Sequence, residues 1–406
     1  MNNQQLSAAT FLLTDQDDYS ADQERLNRAI MQFIKDHWHH DEHAVFVLTG
    51  DAGTGKSAAI ARTFSHIQRL ARQKSGFLAG SQNNLLVNHQ EMLKIYQEVA
   101  GADTVLHKKD FAKPTPFIND HAKTGVRNDI TFVDEAHLLL TQPDRFNRFD
   151  QHNQLTEIIR HSRVVVLVFD PHQVLKLKSY WDWPRLHAVI DHYPHQIFDL
   201  SHQFRIKGAQ TVADWINAFT AGQILPIPAT DHYDFHVYTD GTPLYQHVRM
   251  VNQRHGLARM LATADFPFTV FGNKTWYVHA GSLRLPWDKI NMTSTPWAQL
   301  PKTINEVGSI YTIQGFDLNY AGIVLGPAIG YDPHTQKLQI HLDQYQDTEA
   351  FKNRSDIPDL AQAKTQIIRN SLNVLLKRGR LGVGIYATDP NLRQALIEAA
   401  QESGRP

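Results

Sequence analysis

The run Gly50-Asp51-Ala52-Gly53-Thr54-Gly55-Lys56-Ser57 constrains this chain more than any other segment, because it matches G-x-x-x-x-G-K-[ST], the phosphate-binding loop of nucleotide hydrolases. Such a loop works only between a strand and a helix. Residues 44–49 (AVFVLT) read as a short buried strand, and the stretch from Ala58 (AAIARTFSHIQRL) reads as a helix. The glycines let the backbone curl so that successive N–H groups face a phosphate at the helix N-terminus. In this pattern Lys56 reaches the β- and γ-phosphates, and the Ser57 hydroxyl ligates Mg²⁺. The plain alternative is a Gly-rich turn with a chance lysine, and strand, loop and helix in series argue against it. A nucleotide-binding protein is expected.

At 406 residues the chain is long for one core, so two domains are expected. A content of 42% hydrophobic and 20% charged residues is that of a soluble globular protein. No apolar run approaches the roughly 20 residues needed to span a bilayer, and the N-terminus lacks the basic and apolar regions of a secretory signal. With no cysteine, disulfides, thiolate metal sites and thiol catalysis are excluded, and a cytoplasmic setting is expected. The net charge of -1 does not itself argue for nucleic acid, so any such surface must be a local stripe.

Strand-like and helical stretches alternate almost throughout, as in α/β domains with parallel sheets. Strands are expected at 44–49, 83–87, 130–133, 164–169 and 195–199, then at 234–238, 268–271, 308–312, 321–325 and 382–387. Helices are expected at 209–221, 244–264, 360–376 and 391–401, with a change of core near residue 201. Segments 103–128 and 280–305 show little periodicity and read as surface insertions.

A second motif follows the phosphate loop. Ile130-Thr131-Phe132-Val133-Asp134-Glu135-Ala136-His137 is an apolar strand ending in adjacent carboxylates. At a strand end beside the loop, Asp134 suits Mg²⁺, and Glu135 suits orienting or deprotonating the attacking water. A nucleotide kinase needs no such pair, so hydrolysis is the expected reaction.

Four further segments resemble, in order, the motor core of superfamily 1 helicases. They are Val168-Phe169-Asp170-Pro171-His172-Gln173, Leu200-Ser201-His202-Gln203-Phe204-Arg205, Ile310-Tyr311-Thr312-Ile313-Gln314-Gly315-Phe316-Asp317 and Asn373-Val374-Leu375-Leu376-Lys377-Arg378-Gly379. Within that superfamily the chain is similar to the Schlafen group-3-like DNA/RNA helicase domain family. Leu85-Leu86-Val87-Asn88-His89, Gln203-Phe204-Arg205, Gln314-Gly315-Phe316 and Leu375-Leu376-Lys377-Arg378-Gly379 carry that likeness. The resemblance implies an α/β fold of two RecA-like P-loop domains with parallel sheets, at 1–200 and 201–406, with ATP in the cleft between them. It also implies that Gln173 senses the γ-phosphate, that Arg205 and Arg378 reach it as arginine fingers, and that Gln314 and Gly315 link nucleotide to nucleic acid. Gln23, ahead of the loop, matches a glutamine that reads the adenine edge. Two departures stand out: Asn319 replaces a family acid, and Lys377 replaces a threonine.

Phosphoryl transfer spreads negative charge over the equatorial oxygens, which arginines from a second domain would stabilise on closure. The expected activity is Mg²⁺-dependent ATP hydrolysis coupled to translocation on, or unwinding of, single-stranded DNA or RNA. The alternative is an ATP-gated clamp on nucleic acid or a protein partner, without unwinding; neither reading calls for a membrane. Three other signals carry less. His39 and His43 lie four apart, but at an expected helix end. Lys108, Lys109, Lys113, Arg145 and Arg148 intermix with Phe111, Phe117, Phe146 and Phe149 in a pattern that suits a nucleic-acid strand or an ordinary core. Trp276, Trp287 and Trp297 pose the same choice, and core packing is expected for at least two of them.

Overall fold

The computed structural model describes residues 21–50, 55–200, 210–269, 274–290, 293, 295–313, 316–352, 354 and 356–402. They fall into two compact units, one within Met1–Val174 and Lys178–His202, the other within Leu175–Leu177 and Gln203–Pro406.

The first unit is built on six strands: β1 (Ala44–Thr49), β2 (Asn83–Val87), β3 (Phe111–Ala112), β4 (Asn128–Asp134), β5 (Ser162–Val168) and β6 (His195–Asp199). Their spatial order is β3-β2-β4-β5-β1-β6 and every pairing is parallel. The apolar runs of β1 and β5 suit this, since an all-parallel sheet is covered on both faces. Alternate residues of β1 divide between two cores. Ala44, Phe46 and Leu48 pack with Ile60 and Phe64 on one face, whereas Val45 and Val47 pack with Ile158 and Leu186 on the other.

Segment 103–128, expected as an insertion, instead supplies β3 and the helix Pro114–Thr124, with Phe111, Phe117 and Ile118 buried. Its two prolines obscured the helix, yet both lie in the first turn, where the backbone N–H has no intrahelical acceptor.

The second unit has a seven-stranded sheet of β7 (Asp234–Val237), β8 (Ala258–Ala262), β9 (Trp276–Ala280), β10 (Leu283–Trp287), β11 (Val307–Gly308), β12 (Leu318–Leu325) and β15 (Gly379–Ala387). The order is β7-β15-β12-β8-β11-β10-β9, parallel except for the β9–β10 hairpin. A separate antiparallel pair joins β13 (Ile329–Asp332) to β14 (Lys337–Ile340). Helices Gln210–Ala221, Leu360–Leu376 and Pro390–Gln401 lie where periodicity placed them.

Four expectations for this unit differ from the structure. The helix expected to reach residue 264 runs Gly241–His255, because Gly256 (φ 68, ψ 174) and Leu257 (φ 47) both take positive φ and turn the chain into β8. The strand expected at 268–271 is absent from 268–269, the part of it that is described. At 308–312 only Gly308 is strand; Ile310–Ile313 is helical, started by the Thr312 hydroxyl accepting from Ser309 N at 2.9 Å. Segment 280–305 is likewise no insertion, since it contributes β10 and the buried Trp287, Trp297 and Thr303.

Candidate nucleotide site

In the first unit the chemistry-bearing residues gather at the carboxyl ends of the adjacent strands β1, β5 and β4. Gly50 (φ 148) leaves β1, and Gly55 (φ 78) caps the helix Lys56–Ala71 in a left-handed conformation that an L side chain rarely adopts. Asp51, Ala52, Gly53 and Thr54 lie outside the described residues. The helix therefore starts with Lys56 and Ser57, and each faces a different strand end.

Lys56 is only 7% exposed. Its Nζ donates to Gly50 O at 2.6 Å and lies 3.6 Å from Asp170 Oδ2. Asp170, two residues past β5, is buried and also accepts from Gln173 Nε2 at 2.7 Å and from His172 N at 3.0 Å. One carboxylate thus holds both the loop lysine and Gln173.

Ser57 Oγ donates to Asp134 Oδ1 at 3.1 Å. Asp134 is fully buried at the end of β4, and its other oxygen accepts from Tyr96 Oη at 2.8 Å. Burial, then the neighbouring Glu135 charge, pushes the Asp134 carboxyl up to about 6, while the Tyr96, Ser57 and Glu135 N–H donors pull it down. Burial and the Asp134 carboxylate in turn push the Tyr96 hydroxyl well above its ordinary range. Ser57 and Asp134 together present hard oxygen donors of the kind Mg²⁺ takes, and a divalent cation there would favour the charged carboxylate. Glu135 is left-handed at φ 53, and its Oε2 lies 3.0 Å from Nε2 of the buried His137.

Asp170 and Tyr96 were not foreseen. The Asp-Pro-His-Gln run was visible, but only its glutamine drew a role. Tyr96, on the helix Gln90–Ala102, gives no signal beyond that of a core aromatic. Gln23 sits half-buried in the first turn of the helix Ala21–His37, whose Leu26 and Ile30 join the apolar cluster of Ala59 and Ile60.

In the second unit Arg378 is buried, with Nη1 3.9 Å from Asp317 Oδ1 and its carbonyl accepting from Leu318 N at 3.0 Å. Arg205, Gln314 and Gly315 lie outside the described residues. Both family departures are taken up in packing. Lys377 Nζ donates to Asn217 Oδ1 at 2.7 Å, and Asn319 Nδ2 donates to His255 O at 2.8 Å, closing a helix end. The helix holding His37 stops there, so the spacing of His39 and His43 is not helical.

A parallel α/β unit with a Gly-Lys-Ser helix start set against two strand-end aspartates defines a helicase-like P-loop protein. The chain belongs to the Schlafen group 3 DNA/RNA helicase domain family, whose model matches residues 43–389. It is 37% identical over 417 residues to the uncharacterized protein YPL245W of Saccharomyces cerevisiae, covering 94% of this chain and 91% of that one. Similar solved structures include the Pif1 helicase from Candida albicans, at 12% identity and a TM-score of 0.36, covering 94% of this chain and 98% of that one. Another is the Pif1 helicase from Bacteroides in complex with ADP-AlF3 and single-stranded DNA, at 11% identity and a TM-score of 0.33, covering 91% and 92%. Among the described residues no helix is long and apolar enough to cross a membrane.

Proposed function

We propose that this protein hydrolyses ATP with Mg²⁺ and couples the reaction to movement on single-stranded DNA or RNA. The observation that carries the reading is the paired arrangement at the helix start, Lys56 against Asp170 and Ser57 against Asp134. Ser57 and Asp134 would hold Mg²⁺, which neutralises charge on the β- and γ-phosphates. Lys56 would bind those phosphates, and Asp170 positions its amine. Glu135, with the His137 ring 3.0 Å away, would orient the attacking water and accept its proton. Gln173, held by Asp170, would report on the γ-phosphate. Arg205 and Arg378 would stabilise the transferring group, Gln314 and Gly315 would link nucleotide to nucleic acid, and Gln23 would read the base.

The family's DNA/RNA helicase character supports nucleic acid as the track. The clamp reading draws on the near-neutral charge, the small insertions and the changes at Asn319 and Lys377, whose side chains bond His255 O and Asn217 Oδ1. The test is steady-state ATP hydrolysis with and without single-stranded DNA and RNA, together with displacement of a labelled strand. Stimulation by one polymer with displacement supports the motor. Nucleotide-dependent affinity without displacement would replace it with the clamp, and no ATP turnover under any condition would defeat both.

A further inference from the structure

Of the phenylalanines interleaved with basic residues, Phe111, Phe117 and Phe149 are buried, and Phe146 is 92% exposed. It stands at the tip of a closed turn. Asp144 and Phe149 form an antiparallel bridge, with Asp144 N donating to Phe149 O at 2.8 Å and Phe149 N to Asp144 O at 3.0 Å. Inside the turn the Asp144 carboxylate accepts from Asn147 N and Asn147 Nδ2, both at 3.1 Å, and from Lys178 Nζ at 3.2 Å. Arg148 adopts φ 55, and its carbonyl accepts from Asn119 Nδ2 at 3.3 Å. With Phe149 as its buried anchor, the turn is set before any ligand arrives, so little ordering entropy opposes binding at its tip.

Arg145 and Arg148 flank Phe146, are exposed, and make no side-chain bond to any described residue. Asp144 is occupied by Lys178 and Asn147, and Asp150 lies outside the closing bridge. The tip therefore offers one bare aromatic face between two free guanidinium groups. A protein partner would call for a contiguous apolar patch, whereas a polyanion with stackable faces needs what is here. In a duplex the base faces are covered by their neighbours, so the fit is to unpaired bases.

We propose that Phe146 stacks on an unpaired base of single-stranded DNA or RNA while Arg145 and Arg148 contact the adjoining phosphates. This rests on the nucleic-acid reading given above and names the surface that serves it. The turn also connects rigidly to the nucleotide site. Between Glu135 and Asp144 the chain is tied down at Leu138 O by Asn88 Nδ2 (2.7 Å), at Leu139 O by Trp181 Nε1 (2.8 Å) and at Leu140 N by Gln154 Oε1 (2.8 Å). A strand held on Phe146 is thus linked by a braced connector to the carboxylate proposed to handle water.

The experiment measures fluorescence anisotropy of labelled, mixed-sequence single-stranded DNA and RNA oligonucleotides with the full chain, across a salt series. Phe146→Ala should weaken binding about tenfold or more, the size of one lost base stack. Arg145→Ala with Arg148→Ala should flatten the slope of log affinity against log salt by about 1.4, roughly 0.7 per phosphate contact on a single strand. Phe146→Trp should keep affinity and add an indole emission quenched on binding. Hydrolysis without polymer should match the parent in every variant, since none of these residues is assigned to the nucleotide site. If the parent binds an oligonucleotide and Phe146→Ala binds it within about twofold, the stacking role is overturned and the nucleic-acid reading stands. If the parent binds neither polymer, that reading falls and takes the stacking role with it.

Discussion

The two units bury charge in opposite ways. In the first, Lys56 pairs with Asp170, and Asp134 accepts from Ser57, the residue next to Lys56, so one helix start is set against two strand ends. In the second, buried charges are dispersed, and Arg259, Asp265 and Lys377 each bond neutral neighbours of their own. Arg259 donates to Thr303 Oγ1, Asn252 Oδ1, Ala258 O and Leu300 O, and burial lowers it to about 10. Asp265 accepts from the Thr263 hydroxyl at 2.7 Å and from Ala328 N at 3.3 Å, and Lys377 is spent on Asn217. Burial of charge therefore does not mark a site by itself; convergence of buried charges does.

The sharpest way to break this contrast is Lys56→Ala, which should remove most ATP binding by equilibrium titration. Retained affinity would mean that the convergence in the first unit is not a phosphate site. Arg378 tests the contrast from the other side, because it is a buried charge of the second unit with a proposed catalytic role. Arg378→Ala should lower the single-turnover hydrolysis rate by about 10³-fold or more, and a rate near the parent's with a reduced Tm would return Arg378 to structure. Glu135→Gln should spare ATP affinity and cut turnover by about 10²- to 10⁴-fold; unchanged turnover would remove Glu135 from the water's path.

Asp265 sharpens the structural half. Burial pushes its carboxyl up to about 7, above the roughly 3.9 of an unfolded aspartate. The folded unit holds a proton that the unfolded chain releases, so this contribution is full below about pH 4 and is lost as pH rises through about 7. Asp265→Asn should flatten the fall in stability between pH 5 and 8, by up to about 3 kcal/mol, read from denaturant melts at each pH. An equally steep fall in the variant would show that Asp265 carries no such cost. The smallest effect is expected for Tyr96→Phe, which removes one donor from Asp134 and should weaken Mg²⁺ dependence about tenfold, measured by metal titration of hydrolysis.

The helix start at Lys56 and Ser57, the strand end at Asp134 and most of the strands were legible because each is a local pattern, of spacing in the motifs and of apolar runs in β1 and β5. What escaped depends on contacts between distant segments. Tyr96 matters only because its hydroxyl meets Asp134, 38 residues away, and Asp170 because it meets Lys56. The β9–β10 hairpin hid behind Pro286, which reads as a strand breaker; β10 registers with β11 only at Trp287–Val307, so the missing N–H is tolerated. Phe146 could not be told from Phe149 by composition, since the closing bridge that buries one exposes the other.

Glu135 carries a consequence for anyone selecting sturdier versions of this protein. A glutamate in the left-handed region costs about 1–2 kcal/mol that glycine would not. Selection for heat resistance alone would thus favour Glu135→Gly, and the winner would be a more durable molecule without the carboxylate proposed to handle the water. Thermal screening of libraries should therefore be paired with a turnover assay, since enrichment of glycine at this position would remove the proposed water-handling carboxylate.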